Sequence, residues 1–269
     1  MNDNILFDKY LEFIGIEASN ISFELLCKIV KAHLIKIPFE NISKLHYKKL
    51  GMDYIPDLST YLSGIEKYNF GGTCYSNNYY LYLLLKHIGY NIKLCGADMK
   101  NPDVHLISIV IIDGGEYIVD GGYAAPFLEP LPRELTEDYI INHGNEEYRV
   151  KSMDEKGRTK VEQYYNGELR HWYIAKPQPR KIEEFRKVIE DSYKDDAIFM
   201  NSIRISRFSN NGSLVLRNLL LTETVGLKSS TIEISRKDIL EIIQEKFGIS
   251  ADIAAEATIN LKELKDTWS

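Results

Sequence analysis

Three side chains able to do covalent chemistry together occur in the order Cys74, His105, Asp120. Cys74 sits in Gly71-Gly72-Thr73-Cys74-Tyr75, directly ahead of the apolar, aromatic run Tyr79-Tyr80-Leu81-Tyr82-Leu83-Leu84-Leu85. That placement predicts a thiol at the start of a helix, where backbone N–H groups favour the thiolate. Two glycines before it let the chain turn sharply and let a substrate approach closely. The N–H of Cys74 would then be free to stabilise an oxyanion. His105 opens an apolar strand over 105–112, and Asp120 ends the next one over 116–120. The chemistry these types suggest is nucleophilic catalysis: a thiolate, an imidazole that moves protons, and a carboxylate that orients the imidazole.

Turn chemistry ties the second and third residues together. Asp113-Gly114 is a two-residue hairpin signal of type I′. With that turn, Ile112 faces Gly115 and Ile107 faces Asp120, so His105 lies diagonal to Asp120 on the same face, at roughly 7–8 Å between backbones. A slip of one residue would put the two on opposite faces. Each residue alone has a plainer explanation: a core cysteine, a histidine at a strand start, an aspartate before Gly121-Gly122 in a turn. The double glycine and the pairing register together favour catalysis.

The elements that must position these groups follow from periodicity. The first ~90 residues read as helical. Ser22 caps a helix with apolar Phe23, Leu26, Cys27, Val30 and Leu34, stopped by Pro38. A second helix is predicted over 74–88, with Thr73 as N-cap and Gly89 as stop. From residue 91 short strands take over, at 92–95, 105–112, 116–120, 148–151, 160–165 and 171–174, which suggests a small antiparallel barrel or sheet. After Pro177 and Pro179 a charged helix is expected to about residue 193. Strands at 203–208, 214–222 and 230–234 follow. A last helix is expected to begin at Ser235, with Asp238 as a capping-box-like partner, and to end at Gly248.

Composition narrows the classes. A net charge of -6, mixed along the chain, excludes the basic stripe usual in nucleic-acid binding. The start of the sequence, Met1-Asn2-Asp3-Asn4, is not basic and no signal peptide is read there. The longest apolar run, 106–112, is too short to span a bilayer. Three cysteines, Cys27, Cys74 and Cys95, make no disulfide framework and no metal knuckle, so a reducing cytoplasm is expected. Cys27 and Cys95 read as core. His33, His46, His87, His143 and His171 show no metal-ligand spacing, and no metal is expected. Gly114-Gly115 and Gly121-Gly122 lack the strand–helix setting of a dinucleotide fingerprint.

These residues resemble the arylamine N-acetyltransferase family over nearly the whole chain. Ile37-Pro38-Phe39-Glu40-Asn41 is similar to its early Pro-Phe-Glu-Asn segment, and Gly71-Gly72-Thr73-Cys74 to its Arg-Gly-Gly-x-Cys nucleophile motif. His105-Leu106 resembles its histidine strand. Tyr117-Ile118-Val119-Asp120-Gly121-Gly122-Tyr123 resembles its aspartate motif, followed by Pro130-Leu131. The resemblance implies an α+β fold: an N-terminal helical bundle (1–90), a central antiparallel β-barrel (91–195) and a C-terminal α/β lid (196–269), with a papain-like Cys-His-Asp triad. It implies ping-pong transfer of an acetyl group from acetyl-CoA, through a cysteine thioester, to an arylamine, arylhydrazine or related amine. It also implies that Gly121, Gly122, Tyr123 and Ala124 face the pantetheine end of the co-substrate, with residues 201–206 as a weaker candidate for its contact. Two residues depart from the pattern. Phe70 stands where the family has arginine, so Glu40 lacks its expected cation or finds another, such as a nearby lysine. Ser76 stands for a glutamate, while Asn78 is kept. The rival readings are a cysteine hydrolase or transglutaminase-like enzyme, an amide synthase using another acyl donor, and a degenerate, non-catalytic relative.

Overall fold

The computed structural model describes residues 3–17, 20–261 and 264. Helices dominate the first third: α1 (Asp3–Ile14), α2 (Phe23–Lys36), α3 (Ile42–Lys49), α4 (Leu58–Tyr68) and α5 (Cys74–Ile88), with a two-residue strand β1 (Phe39–Glu40) between α2 and α3. Ser22 caps α2 by accepting from Leu25 N, and the helix stops short of Pro38. Thr73 is the N-cap of α5, but its side chain makes no capping bond. Gly89 ends α5 with a left-handed φ of +107°.

Eight strands follow: β2 (Asn91–Asp98), β3 (His105–Ile112), β4 (Gly115–Val119), β5 (Leu131–Pro132), β6 (Tyr139–His143), β7 (Glu146–Val150), β8 (Thr159–Tyr165) and β9 (Glu168–Pro179). They pair antiparallel in the order β5-β4-β3-β2-β9-β8-β7-β6, an almost closed barrel. Its interior holds Ile107, Ile109, Ile118, Val161 and Tyr173. The other face of β3 is also covered: Val110 packs into the helical core with Leu26, Ile29 and Leu84, and Leu106 packs beside Cys74. Burial on both faces is why 105–112 reads as a continuous apolar run instead of alternating.

A 3-10 turn (Ile182–Phe185) and α6 (Arg186–Asp191) lead to a second sheet. It comprises β10 (Arg204–Ser209), β11 (Gly212–Arg217), β12 (Leu220–Val225) and β13 (Lys228–Glu233), closed by α7 (Ile239–Phe247) and α8 (Ala251–Thr258). Its order is β1-β10-β11-β12-β13, so the N-terminal β1 forms its edge.

Four sequence expectations need correction. The single strand expected over 214–222 is two, broken at Asn218, whose φ of +53° reverses the chain. The helix expected from Ser235 is α7 and begins at Ile239, with Asp238 as its N-cap residue and Ser235 Oγ donating to the Asp238 carboxylate at 2.8 Å, and it is not the last, because α8 follows it. The strand expected over 171–174 runs from Glu168 through Pro177 and Pro179, with a register shift between its pairings to Ala97 and Cys95 of β2. The charged helix expected to residue 193 is the 3-10 turn plus the six residues of α6.

Candidate active site

Cys74 is the first residue of α5 and is 9% exposed. Asn78 lies one turn further along the same face. The hairpin between β3 and β4 has the expected register, Ile112 opposite Gly115 and Ser108 opposite Val119. Asp113 (φ +51°) and Gly114 (φ +80°) are both left-handed, as a type I′ turn requires. Continuing that register one residue past β4 sets Asp120 across from Ile107, on the face that carries His105.

The structure brings Cys74, His105 and Asp120 together. His105 Nε2 lies 2.8 Å from Asp120 Oδ2, and both side chains are fully enclosed. Cys74 packs in one cluster with Leu106, the residue after His105 on β3, and its Cα lies against Gly122, two residues after Asp120. With Nε2 turned to Asp120, Nδ1 is the nitrogen left for sulfur. Burial disfavours a charged imidazole, but the Asp120 carboxylate outweighs it, helped by Cys74, and His105 is pushed up to about 10. The Asp120 carboxylate thus favours the charged form of His105. The rings of Tyr173 and Tyr123 pack on it at 5.1 and 5.6 Å.

Asn78 completes the arrangement, and the sequence reading assigned it no role. Its Nδ2 donates to Asp120 Oδ1 at 2.8 Å and to the Leu106 carbonyl at 2.5 Å. Its Oδ1 accepts from Gly121 N at 2.7 Å. Gly122 N also donates to Asp120 Oδ1, at 3.0 Å. The available signal was spacing: Asn78 is four residues from Cys74, so both face the same neighbour.

Of the four residues expected against the co-substrate, Gly121 and Gly122 are packing glycines. A Cβ on Gly121 would meet His33 Cδ2 at 2.8 Å, and one on Gly122 would meet Cys74 Cα at 2.7 Å. Tyr123 turns its hydroxyl to His171 Nδ1 at 2.6 Å. Ala124 lines a cleft of about 440 Å³ between the barrel and the second sheet, with Gln163, Arg170, Arg204, Arg217 and Thr231 on its walls. Arg204 is thus the residue of the 201–206 segment that reaches this cleft. Ser206 is buried opposite Phe39, and the carbonyl of Ser202 accepts from Asn41 Nδ2 at 2.7 Å.

The two departures are absorbed locally. Phe70 packs among the rings of His46, Tyr47 and Tyr68. Glu40 finds no cation among the described residues. Its oxygens accept from Ser43 N at 2.8 Å and Gly71 N at 3.0 Å. Burial raises its pKa and these bonds oppose the rise. Ser76 Oγ donates to the Thr73 carbonyl at 3.3 Å. Elsewhere His33 bonds Tyr10, His87 stacks on Phe7 and His143 bonds Ser213. Among the described residues no group of His, Cys, Asp or Glu could hold a metal. No helix among them is long and apolar enough to cross a membrane.

A buried thiol, imidazole and carboxylate, with the thiol at a helix start, are the groups that nucleophilic catalysis needs. Comparison with known proteins gives the class: the N-acetyltransferase family model matches residues 22–256. The pineal gland isozyme NAT-3 of arylamine N-acetyltransferase from Gallus gallus is 28% identical, over 89% of this chain and 86% of the relative. The proansamycin X synthase of Amycolatopsis mediterranei is 23% identical, over 70% of this chain and 73% of the relative. The arylamine N-acetyltransferase structure from Mycobacterium abscessus superimposes with a TM-score of 0.81, covering 97% of this chain and 96% of that one at 18% identity. The enzyme from Salmonella typhimurium gives 0.79, covering 94% and 98% at 17% identity. The chain is an acyltransferase enzyme, and it belongs to the arylamine N-acetyltransferase family.

Proposed function

We propose that this enzyme transfers an acetyl group from acetyl-CoA to an arylamine, arylhydrazine or related amine through a thioester on Cys74, in two half-reactions. The observation that carries this reading is the enclosed His105–Asp120 pair, 2.8 Å apart, with Cys74 packed beside Leu106, the next residue of the same strand. As thiolate, Cys74 attacks the thioester carbonyl, and the oxyanion is met by unpaired backbone N–H groups of the first turn of α5, that of Cys74 among them. His105 gives its proton to the departing thiolate. In the second half-reaction it takes a proton from the attacking amine, and Cys74 leaves. Asp120 fixes the ring and balances its charge throughout. The cleft at Ala124 has the volume of a small-molecule site, and it supports the reading that acyl donor and acceptor approach from the Ala124 side.

The division into a helical bundle (1–90), barrel (91–195) and lid (196–269), a cytoplasmic setting and a part in xenobiotic metabolism belong to the same proposal. A second reading, amide synthesis with a longer acyl group, is favoured by the similarity to a protein named as a synthase.

The test is intact mass after incubation with acetyl-CoA, followed by an arylamine. An acetyl-sized gain at Cys74, absent in Cys74→Ala and discharged by the amine, is expected. No gain, with Cys74 still readily alkylated, would replace the reading with another acyl donor or a hydrolase. Activity surviving in Cys74→Ala would sink it.

A further inference from the structure

The cleft between the barrel and the second sheet carries more positive than negative charge. Arg170, Arg204 and Arg217 line it, and Glu146 is the one carboxylate among the described residues on its walls. Arg204 on β10 and Arg217 on β11 are register partners, so two like charges stand directly opposite each other on the face that lines the cleft. Such a pair is destabilising by itself, and an anion between the two would offset the repulsion. Arg204 is also buried, which adds to the cost of its charge. Glu146 already accepts from Gln163 Nε2 and from the Tyr148 hydroxyl, both at 2.9 Å. Arg170, half exposed, pairs with Glu168 at 2.8 Å. Burial lowers Arg204 to about 10, with Glu146 opposing the fall and Arg217 reinforcing it. Beside the arginines stand two hydroxyl pairs, Thr222–Thr231 at 2.9 Å and Thr224–Ser229 at 2.8 Å, and an apolar stretch of Phe208, Val215 and Leu220. The cleft starts close to the nucleophile. Ala124 on its wall comes two residues after Gly122, where a Cβ would meet Cys74 Cα at 2.7 Å. Two residues of chain span at most about 7 Å.

We propose that this cleft selects an acidic acceptor: Arg204 and Arg217, set opposite each other on β10 and β11, hold the carboxylate of an amine whose aromatic body lies along Phe208, Val215 and Leu220 and whose nitrogen reaches the acyl group on Cys74. This rests on the transferase reading above. A guanidinium matches the two oxygens of a carboxylate, and the apolar stretch matches a ring. The phosphates of the acyl donor share this oxyanion chemistry, and the assay separates the two sources.

The test compares kcat/KM for two acidic acceptors, 4-aminobenzoate and the longer 4-(4-aminophenyl)butanoate, with that for their uncharged amides. It uses the parent, Arg217→Gln and Arg204→Gln. The parent should favour an acid over its amide, and each variant should lower that ratio about tenfold to hundredfold, the worth of a charge-assisted bond. The donor arm compares Cys74 acylation by acetyl-CoA and by acetylpantetheine, which lacks the nucleotide phosphates. Should the variants lower the ratio of these two rates while the acid-to-amide ratio holds, the arginines serve the donor and the proposal is overturned. Unmoved ratios in both arms overturn it as well. Arg217 is only partly buried, so Arg217→Gln carries the test if Arg204→Gln fails to fold. Should the parent acetylate no acceptor, thermal melts decide. A Tm rise with an acid but not its amide, absent in Arg217→Gln, would remove the transferase reading and leave the acid site standing. No rise with either acid overturns the proposal.

Discussion

Asn78→Ala removes a side chain that joins helix α5 to both strands of the catalytic hairpin. Three hydrogen bonds go: to Asp120 Oδ1, to the Leu106 carbonyl and from Gly121 N. Asp120 Oδ1 keeps the Gly122 N–H. The orphaned groups are therefore the Leu106 carbonyl and the Gly121 N–H, both buried. At about 1–3 kcal/mol for each unsatisfied group, the loss is about 2–6 kcal/mol before any cavity contribution. For a chain of this size that corresponds to a fall in Tm of about 5–20 °C in a thermal melt. Asp120 also loses one of the two donors that fix its Oδ1. With the carboxylate free to swing, His105 is held at one end only, and the rate of Cys74 acylation should fall about tenfold to hundredfold at a temperature where the variant is folded. Intact-mass kinetics with the acyl donor read that rate. A melt within about 2 °C of the parent would mean that these groups find other partners and would refute the energetic argument. A normal melting loss with an unchanged acylation rate would show that Gly122 N alone orients Asp120.

Two further outcomes are expected. Gly122→Ala would press a Cβ against Cys74 Cα at 2.7 Å, a backbone atom that cannot move aside; a lower Tm and loss of Cys74 acylation should appear together in melts and mass spectra. His33 is buried and held neutral, lowered by burial to about 3. Between that value and about 6.5 the unfolded chain binds a proton that the folded one refuses, so stability falls as pH drops through this window. Denaturant curves from pH 7 to 3 should therefore be less steep in pH for His33→Gln than for the parent.

The hairpin that carries His105 and leads into Asp120 was legible in the sequence because its geometry is local. Asp113-Gly114 dictates a turn with two left-handed residues, the turn dictates the register, and the register places Asp120 on the face of His105. Helix caps at Ser22 and Gly89 were readable for the same reason. What escaped depends on residues far apart. A two-residue strand such as Phe39–Glu40 has no periodicity to detect, and its partner β10 lies in the second sheet. The break at Asn218 sits inside a run whose β-propensity continues across it, so only the left-handed φ marks the turn. Asn78 was matched to the family's asparagine, but its bonds to Asp120, Leu106 and Gly121 show only in the fold.

The edge strand β1 also orders the events of biosynthesis. Phe39 bridges to Gly72 beside the nucleophile, Glu40 N donates to the Gly72 carbonyl, and Glu40 pairs with Ile205. Asn41 Oδ1 accepts from Arg204 N, 163 positions later in the chain. At ribosomal speed that interval is about 8–30 s. For the later part of it, once residues 71–74 are made, the loop bearing Cys74 waits for one of its supports while the barrel strands emerge. A nascent or truncated chain ending before β10 would carry the thiol and imidazole without the strap that joins their loop to the last sheet. Complete assembly of the site is thus a late event, with a high contact order, and a stalled chain is an unfinished catalyst even though Cys74, His105 and Asp120 are already synthesised.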